Sequence, residues 1–253
     1  GDVTGLQLWL DASVECQGIS DGTAVATWDD QSGNARHATQ ATGANQPTCQ
    51  TAAGDLVNGK PVVRFDGSND YLATANDSTV TLRSPYTVFV VGNPVSVSGH
   101  RAVLSKAASS GVGQISGAAR LTTWGTLDYT TASTSVFTVG VASVVTYVFD
   151  ASFDTTFYGD GVLLETDAGA ADGAADNNAI YVGSHDGTQR FWSGDVAEVL
   201  IYNSALSDVN RRAVEKYLRM KWTGEKQPVP SFYVSGKLPA KQKPGNCSDS
   251  GVA

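Results

Sequence analysis

Residues 61–72 read Pro61-Val-Val-Arg-Phe-Asp-Gly-Ser-Asn-Asp-Tyr-Leu72. Apolar and polar side chains alternate in this stretch, which is the two-residue period of a half-buried strand. It runs into Asp66-Gly67 and Asn69-Asp70, which are turn formers with oxygen-bearing side chains. The upstream stretch Leu8-Trp-Leu-Asp-Ala12 has the same alternation. Together these stretches predict a β-sandwich that carries oxygen-rich loops to one rim and binds a ligand there.

Further strand-like segments recur along the chain at a spacing of roughly ten residues, separated by turn clusters. No helical pattern lies between them and no fixed repeat is present. This arrangement predicts an all-β sandwich or jelly roll rather than a parallel α/β sheet. The alternation within the strand-like segments also predicts five core residues: Trp9, Leu10, Trp28, Val63 and Phe65.

Ser207–Trp222 breaks the strand pattern, because its apolar residues follow the spacing of an amphipathic helix. Ser207 is a suitable N-cap and Gly224 a suitable terminator. The same pattern assigns Arg211 and Glu215 to the solvent-exposed face of the helix.

The composition changes after Gly224. Residues 225–253 carry four prolines and four lysines but only two acidic residues. We therefore expect one domain over residues 1–224 and an extended arm or linker over residues 225–253.

The 253 residues carry a formal net charge of -8. Clustered positive charge is needed to bind phosphates, so the acidic balance argues against nucleic acid. No apolar run is long enough for a membrane helix, so membrane insertion is not expected. No secretory signal is visible, although the chain begins at Gly1 rather than Met.

Cys16, Cys49 and Cys247 allow at most one disulfide within the chain. Cys16 and Cys49 lie in the same N-terminal region and are candidates for pairing, which would leave Cys247 in the tail. The spacing does not fit a zinc site.

Several motifs resemble the concanavalin A-like lectin/glucanase superfamily, specifically the laminin G-like domains of bacteria and phages. They occur in the expected order between Gly5 and Trp222: Leu8–Ala12, Trp28–Asn34, Pro61–Leu72, Phe157–Gly161, Gly194–Ser207 and the closing Tyr217-Leu218 and Lys221-Trp222. The resemblance implies two antiparallel sheets in a jelly-roll sandwich, with one C-terminal helix. It also implies a range of functions, from glycan binding and adhesion to hydrolysis and structural support.

Enzymes of this superfamily need paired carboxylates on one strand face. The glucanase pattern Glu-x-Asp-x-(x)-Glu does not occur in the chain. Asp195 and Glu198 are three apart on a predicted strand, so strict alternation would point them to opposite faces. The sequence therefore predicts that the chain is not an enzyme.

Two kinds of candidate binding residue remain. Trp124 and Trp192 lie in polar surroundings and are candidates for stacking on a sugar ring, with Asn69 and Asp70 as hydrogen-bonding partners. Calcium is a candidate cofactor because it prefers oxygen ligands on turns. Its candidate ligands fall in two turns: Asp66, Asn69 and Asp70 in one, and Asp30 and Asn34, beside Asp29, in the other.

The leading hypothesis is a non-catalytic recognition or adhesion module that binds a glycan or surface polysaccharide. It places the protein outside the cell, on the cell surface or on a virion. The second hypothesis is a structural or decoration subunit of a virion, filament or cell-surface layer. In that hypothesis, residues 225–253 form the arm that joins copies of the chain into an oligomer or larger assembly.

Overall fold

The computed structural model describes residues 3–80, 85–106, 110–115, 118–123, 129–168 and 177–225. These residues form sixteen strands, two α-helices and one short 3-10 helix at Gly43–Asn45. The helices are α1 (Ala12–Glu15) and α2 (Asp208–Trp222). The strands are β1 (Leu6–Asp11), β2 (Thr27–Trp28), β3 (Ala38–Thr39), β4 (Thr48–Gln50), β5 (Val62–Asp66), β6 (Leu72–Ala73), β7 (Tyr86–Pro94), β8 (His100–Lys106), β9 (Ser110–Ile115), β10 (Ala118–Thr123), β11 (Tyr129–Ser135), β12 (Ser143–Phe149), β13 (Thr155–Gly159), β14 (Val162–Asp167), β15 (Ile180–Val182) and β16 (Ser193–Tyr202).

The strands form two eight-stranded sheets. The first sheet has the order β14-β13-β12-β7-β16-β5-β4, and β1 joins it by pairing with the second half of β16. The second sheet has the order β11-β10-β9-β8-β15-β6-β3-β2. All of these pairings are antiparallel. The predicted all-β antiparallel sandwich with one C-terminal helix is confirmed.

The core lies between the two sheets. Phe65 on β5 packs against Gly183, directly after β15, so closely that a Cβ at Gly183 would lie 2.2 Å from the phenyl ring. Gly183 also has a φ of +84°, which disfavours any other residue there. Leu10, Trp28 and Val63 are fully buried, as predicted. Trp9 is only half-buried, because its side chain lies on the outer face of the first sheet rather than in the core.

Cys16 and Cys49 form a disulfide, with their Cα atoms 5.6 Å apart. Both residues are buried, so the bridge ties the end of α1 to strand β4 inside the protein. A bridge of this kind stabilises a fold by restricting the unfolded chain, typically by about 2–4 kcal/mol.

The predicted helix is confirmed as α2, with the Ser207 side chain accepting a hydrogen bond from the Asn210 amide. Two of the residues that the helical spacing leaves for the solvent are not exposed: Arg211 and Glu215 are 2% and 1% exposed. Their side chains form an ion pair of 2.6 Å, and the Arg211 guanidinium stacks on Tyr158 of β13. The prediction was wrong because α2 lies across the first sheet, and the sheet covers helix residues that lie outside the apolar stripe.

The described part of the chain contains no helix that is long and apolar enough to cross a membrane. Residues 226–253, which include most of the predicted arm and Cys247, lie outside the described residues. The domain boundary at residue 224 and the assembly role of the arm therefore stay predictions.

Candidate functional site

The first predicted calcium turn connects β5 to β6. One carboxylate oxygen of Asp66, Oδ1, accepts hydrogen bonds from the backbone amides of Ser68, Asn69 and Asp70. The side-chain amide nitrogen of Asn69, Nδ2, donates to the Ala44 carbonyl. Asp70 Oδ2 accepts from the Asp66 amide at 2.9 Å. The turn is therefore held together by the same carboxylates that were predicted to bind the ion.

Asp70 is only 7% exposed and lies beside the carboxylate of Asp66. Burial, together with the neighbouring negative charge, raises the pKa of Asp70 to about 6, although the hydrogen bond from the Asp66 amide opposes the shift. A cation between the two carboxylates would relieve this repulsion. Asp66 and Asp70 each keep one carboxylate oxygen outside the turn's hydrogen bonds, so this pair fits calcium in part.

The second predicted calcium turn does not fit an ion. Both carboxylate oxygens of Asp30 accept hydrogen bonds, from the amides of Trp9, Ser32 and Arg36 and from the Ser32 hydroxyl. Burial works against the charge on Asp30, yet these bonds lower its pKa. The Asn34 amide nitrogen donates to the carbonyls at the start of β1. Asp30 and Asn34 therefore connect this turn to β1, and nothing remains on Asp30 for a metal.

No group of three or more His, Cys, Asp or Glu side chains within the described ranges is placed to hold a metal ion. The Asp66–Asp70 pair would need amide, carbonyl or water oxygens to complete a calcium site.

The structure corrects the expectation for Trp192. Its side chain is fully buried, its indole nitrogen donates to the Asp195 carbonyl, and its ring packs against Phe137 with centroids 5.2 Å apart. A buried ring cannot stack on a sugar. Gly92 of β7 also lies against the ring, since a Cβ there would be 3.3 Å from Trp192 Cζ2. Trp124 lies outside the described residues.

A different pair of aromatic residues lies on the outer face of the second sheet. Tyr181 stands between Ile180 and Val182, which are both buried in the core, so its side chain points away from the core. Tyr71 precedes the buried Leu72 and points outward for the same reason. The two rings are 6.0 Å apart, tilted by 45°, and both residues are partly exposed.

The surroundings of this pair are small and polar. Ala73 lies opposite Tyr181 in the sheet, and the exposed Thr39 lies opposite Ala73. Neither tyrosine hydroxyl has a hydrogen-bond partner among the described residues. Burial raises the pKa of Tyr181, and the nearby Tyr71 and Asp186 contribute to the shift. The three groups therefore converge on one surface, which we call the tyrosine surface (Tyr71, Tyr181 and Asp186).

Asp186 is fixed in place by its own loop. Oδ1 accepts from the amide and hydroxyl of Thr188, and Oδ2 accepts from the Gln189 side chain at 2.9 Å. Although burial opposes the charge, these bonds lower the pKa of Asp186 to about 2. The carboxylate is thus charged at neutral pH and partly exposed, with its orientation set before any ligand arrives.

Neither tyrosine was among the binding residues predicted from the sequence. The signal was present in part, because Tyr181 alternates with the core residues Ile180 and Val182 in β15, and Tyr71 directly precedes the core residue Leu72. An aromatic side chain on the outer face of a sheet is not needed for the core and is therefore a candidate for binding.

The outer face of the first sheet is built differently. Arg64 donates to both carboxylate oxygens of Asp195, at 2.7 and 3.2 Å, and to Asp55 at 2.8 Å. Asn93 donates to Asp195 at 2.9 Å. The hydrogen bonds of Arg64, with that to Asp195 the strongest, raise its pKa. Arg64, Asp55 and Asn93 line a cavity of about 580 Å³ beside the end of α2, but their charges already compensate each other.

Glu198 forms a second network on this face and is fully buried. Its carboxylate accepts from the indoles of Trp9 and Trp222, from the Tyr217 hydroxyl and from the Lys221 amine. Burial raises the pKa of Glu198 and the nearby Asp11 adds to the shift, while Lys221 and the Trp222 indole oppose it.

Asp195 and Glu198 lie on the same face of the sheet, and the prediction of opposite faces was wrong. The pairing of β16 with β7 shifts between Val196 and Glu198, so Ala197 is an extra residue. A bulge of this kind restores a residue three positions along to the same face. Asp195 contacts Arg64 and Glu198 contacts Trp222, and both partners line one cavity.

Comparison with known proteins identifies the family. A laminin G-type family model, described as the concanavalin A-like lectin/glucanases superfamily, matches residues 66–209, more than half of the chain. The chain belongs to this superfamily. The resemblance carried by the sequence motifs is thereby confirmed. A search of the curated proteins returned no match.

Solved structures with the same fold are distant in sequence. The chain is similar to the Trypanosoma rangeli sialidase in complex with sialic acid, at 14% identity and a TM-score of 0.62, over 88% of this chain and 34% of the sialidase. Domain 4 of AbnA, a GH43 extracellular arabinanase from Geobacillus stearothermophilus, in complex with arabinotriose, is 13% identical with a TM-score of 0.62. That match covers 83% of this chain and 98% of the domain. The binding domain of Paraclostridial Mosquitocidal Protein 1 is 12% identical with a TM-score of 0.63. That match covers 85% of this chain and 52% of the chain of the binding domain.

These relatives correct the prediction that the chain is not an enzyme. The structural relatives include sialidases, which are enzymes, so the fold is shared by enzymes and binding domains. The chain spans about a third of the sialidases' length. The absence of the glucanase motif therefore does not decide whether the chain is an enzyme. The predicted placement of Asp195 and Glu198 on opposite faces does not decide it either, because the bulge at Ala197 puts both on one face.

Proposed function

We propose that this chain is an extracellular or surface-displayed recognition module that binds a glycan at the tyrosine surface. The observation that carries the proposal is the partly exposed pair Tyr71–Tyr181 on the outer face of the second sheet, with Asp186 held beside it.

The chemistry of the tyrosine surface suits a sugar. The C–H faces of a pyranose or furanose ring pack on aromatic rings, and the two partly exposed tyrosines bring two such rings to within 6.0 Å of each other, beside Gly187. A carboxylate that stays charged at neutral pH accepts hydrogen bonds from sugar hydroxyls. The tyrosine hydroxyls, which have no hydrogen-bond partner in the described part of the chain, add two groups that can both donate and accept.

Two further observations support the proposal. A structural relative of nearly full length, the arabinanase domain, is described in complex with arabinotriose. The disulfide between Cys16 and Cys49 suits an oxidising compartment outside the cytosol.

Calcium is proposed only for the Asp66–Asp70 pair. This turn leads directly into Tyr71, so an ion there would stabilise the position of the ring. We expect calcium to raise the melting temperature, a chelator to reverse the rise, and Asp70→Asn to abolish the response. Magnesium serves as the control ion because it prefers octahedral sites with several waters. A response that Asp70→Asn leaves intact would place the ion elsewhere.

The test of glycan binding is affinity electrophoresis through gels that contain a panel of neutral polysaccharides, with arabinan among them. Binding is then quantified by calorimetry with the matching oligosaccharide. Tyr181→Ala and Tyr71→Ala should each weaken binding at least about five-fold, taking the loss of one stacking ring as about 1–3 kcal/mol, as for bases stacked on aromatic side chains. Phe153→Ala is the matched control, because Phe153 is an aromatic residue that is 40% exposed and remote from this surface.

The proposal would be contradicted if none of the polysaccharides in the gels retained the chain. Equal weakening by Phe153→Ala and Tyr181→Ala would also contradict it, because the effect would then come from general destabilisation. Melting temperatures of all three variants separate loss of binding from loss of folding.

A further inference from the structure

On the side of the sandwich opposite the tyrosine surface, a groove lies between helix α2 and the turn that precedes β5. Its volume is about 680 Å³. Its lining comes from two residues of the turn and five of the helix: Asn58, Lys60, Ala213, Lys216, Tyr217, Met220 and Lys221.

The charge of this groove is opposite to that of the whole chain. The chain carries a net charge of -8, yet the described lining contains three lysines and no acidic residue. Lys221 is neutralised by Asp11 and Glu198, which lie beneath it. Lys60 and Lys216 form no ion pair with any described residue. The groove therefore presents two uncompensated ammonium groups on an otherwise acidic protein.

Tyr217 provides a fixed aromatic surface in the same groove. Its residue is 41% exposed, while its hydroxyl donates to Glu198 at 2.9 Å and accepts from Lys221 at 3.1 Å. Two strong hydrogen bonds at the far end of the side chain hold the ring in one orientation. A ring that is already ordered loses little conformational entropy when a ligand packs on it.

We propose that this groove binds a carboxylate-bearing saccharide such as a uronic acid oligomer. A sugar ring packs on Tyr217, and its carboxylate lies between the ammonium groups of Lys60 and Lys216. Met220 and Ala213 give the rest of the ring an apolar wall. This site is separate from the tyrosine surface, which lies on the other sheet, and it goes beyond the glycan binding proposed there.

The shape of the groove favours a saccharide over an acidic peptide. Peptides are commonly bound by adding a strand to a sheet edge or by placing a helix in an apolar groove. The described lining instead comes from a helix face and a turn, and it offers one ordered ring together with two point charges. That combination matches a single sugar ring with one negative group.

The experiment is a calorimetric titration of the full chain with a tetramer of galacturonic acid, carried out at two salt concentrations. Lys60→Gln and Lys216→Gln should each weaken binding about five-fold, as expected for one partly exposed charge pair. Arg212→Gln removes the same charge from a side chain that is 71% exposed on the same helix but outside the groove. It should weaken binding less than about two-fold.

Three comparisons make the result decisive. The fully methyl-esterified tetramer should bind at least about ten-fold more weakly, since it lacks the carboxylates. A tetraglutamate peptide should not compete. Tyr181→Ala should leave the titration unchanged, so failure of the tyrosine surface and failure of the groove can be told apart.

The inference is overturned if the tetramer does not bind, or if the methyl ester binds equally well. Equal effects of Arg212→Gln and Lys216→Gln would reduce the interaction to overall charge. Equal binding of tetraglutamate would make the groove a docking site for acidic protein segments. Loss of the titration in Tyr181→Ala would move the ligand to the tyrosine surface.

Discussion

The two outer faces of this sandwich use polar residues in opposite ways. On the first sheet, the side chains of Glu198, Asp195 and Arg64 are bonded to several partners beneath or beside helix α2. On the second sheet, Tyr71 and Tyr181 are partly exposed and their hydroxyls have no partner among the described residues. The polar groups around β16 on the first face bond one another, whereas the tyrosine hydroxyls on the second face are available to a ligand.

The difference shows that a charged residue on a strand does not by itself indicate a site. Glu198 is the most completely hydrogen-bonded carboxylate on the helix-covered face, with four different donors, and this arrangement joins β1, β16 and α2. Its role follows from what surrounds it. The following changes test this contrast, from the main variant with the largest expected effect on stability to the one with the smallest, each beside a matched comparison.

Glu198→Gln should cost about 3–5 kcal/mol of unfolding free energy. The amide replaces one acceptor oxygen with a donor, so it faces the indoles, the tyrosine hydroxyl and Lys221 with unfavourable pairs. Urea denaturation measures the effect. The control is Asp208→Asn, whose side chain is 68% exposed and should change stability by less than about 1 kcal/mol. A cost below that of the control would show that the network does not stabilise the fold.

Arg64→Lys should cost about 2 kcal/mol, because a lysine cannot bond Asp195 with two nitrogens and also reach Asp55. The loss should appear in the same denaturation experiment. Arg212→Lys is the control, since its exposed guanidinium has only a 3.6 Å contact with Asp208. If both changes have the same small effect, the fork geometry at Arg64 is unimportant.

Asp70→Asn should raise stability at pH 7 by about 1–2 kcal/mol, after allowance for solvent screening of the shift. The pKa of Asp70 is about 6 in the folded protein and 3.8 in the reference state, so the folded state binds the proton more tightly. Stability from this group is therefore present below pH 3.8 and is lost as the pH rises to 6.

The measurement for Asp70 is chemical denaturation between pH 4 and pH 7, which brackets most of that window. The Asp70→Asn variant should lack the part of the pH dependence that belongs to the carboxyl group. Its side-chain carbonyl oxygen can still accept the hydrogen bond from the Asp66 amide, so the turn itself is kept. An unchanged pH profile would mean that another group produces it.

Tyr181→Phe should change stability by less than about 0.5 kcal/mol, because its hydroxyl has no described partner to lose. Tyr217→Phe is the matched change on the other face. It removes a bond to the Glu198 carboxylate and should cost about 1.5–3 kcal/mol. Thermal unfolding compares the two. Equal costs would remove the distinction between the two faces.

Much of the fold could be predicted from local sequence. The alternation in Pro61–Leu72 places Val63 and Phe65 in the core, and the Ser207 cap begins α2 where expected. Local patterns fail where another element covers the surface. Arg211 and Glu215 look solvent-exposed on a helical projection but are buried beside Tyr158 of β13, which is distant in sequence.

The candidate site was less predictable. The turn Asp66–Asp70 was recognised by its composition, but its carboxylates largely serve the turn itself. Trp192 was selected for its polar neighbours, although the ring is buried against Phe137 and against Gly92 of β7. Tyr71 and Tyr181 come from segments more than a hundred residues apart, and only the pairing of β6 with β15 brings them together.

The sequence by itself determined the sheet-forming segments, the amphipathic helix and the family, because alternation, capping and turn chemistry act over a few neighbouring residues. Tertiary structure decided which side chains are available. Strand pairing assembles the tyrosine surface, the bulge at Ala197 turns Glu198 toward α2, and the helix then buries it. Burial and partnership depend on contacts between distant segments, and those contacts cannot be read from any one stretch of sequence.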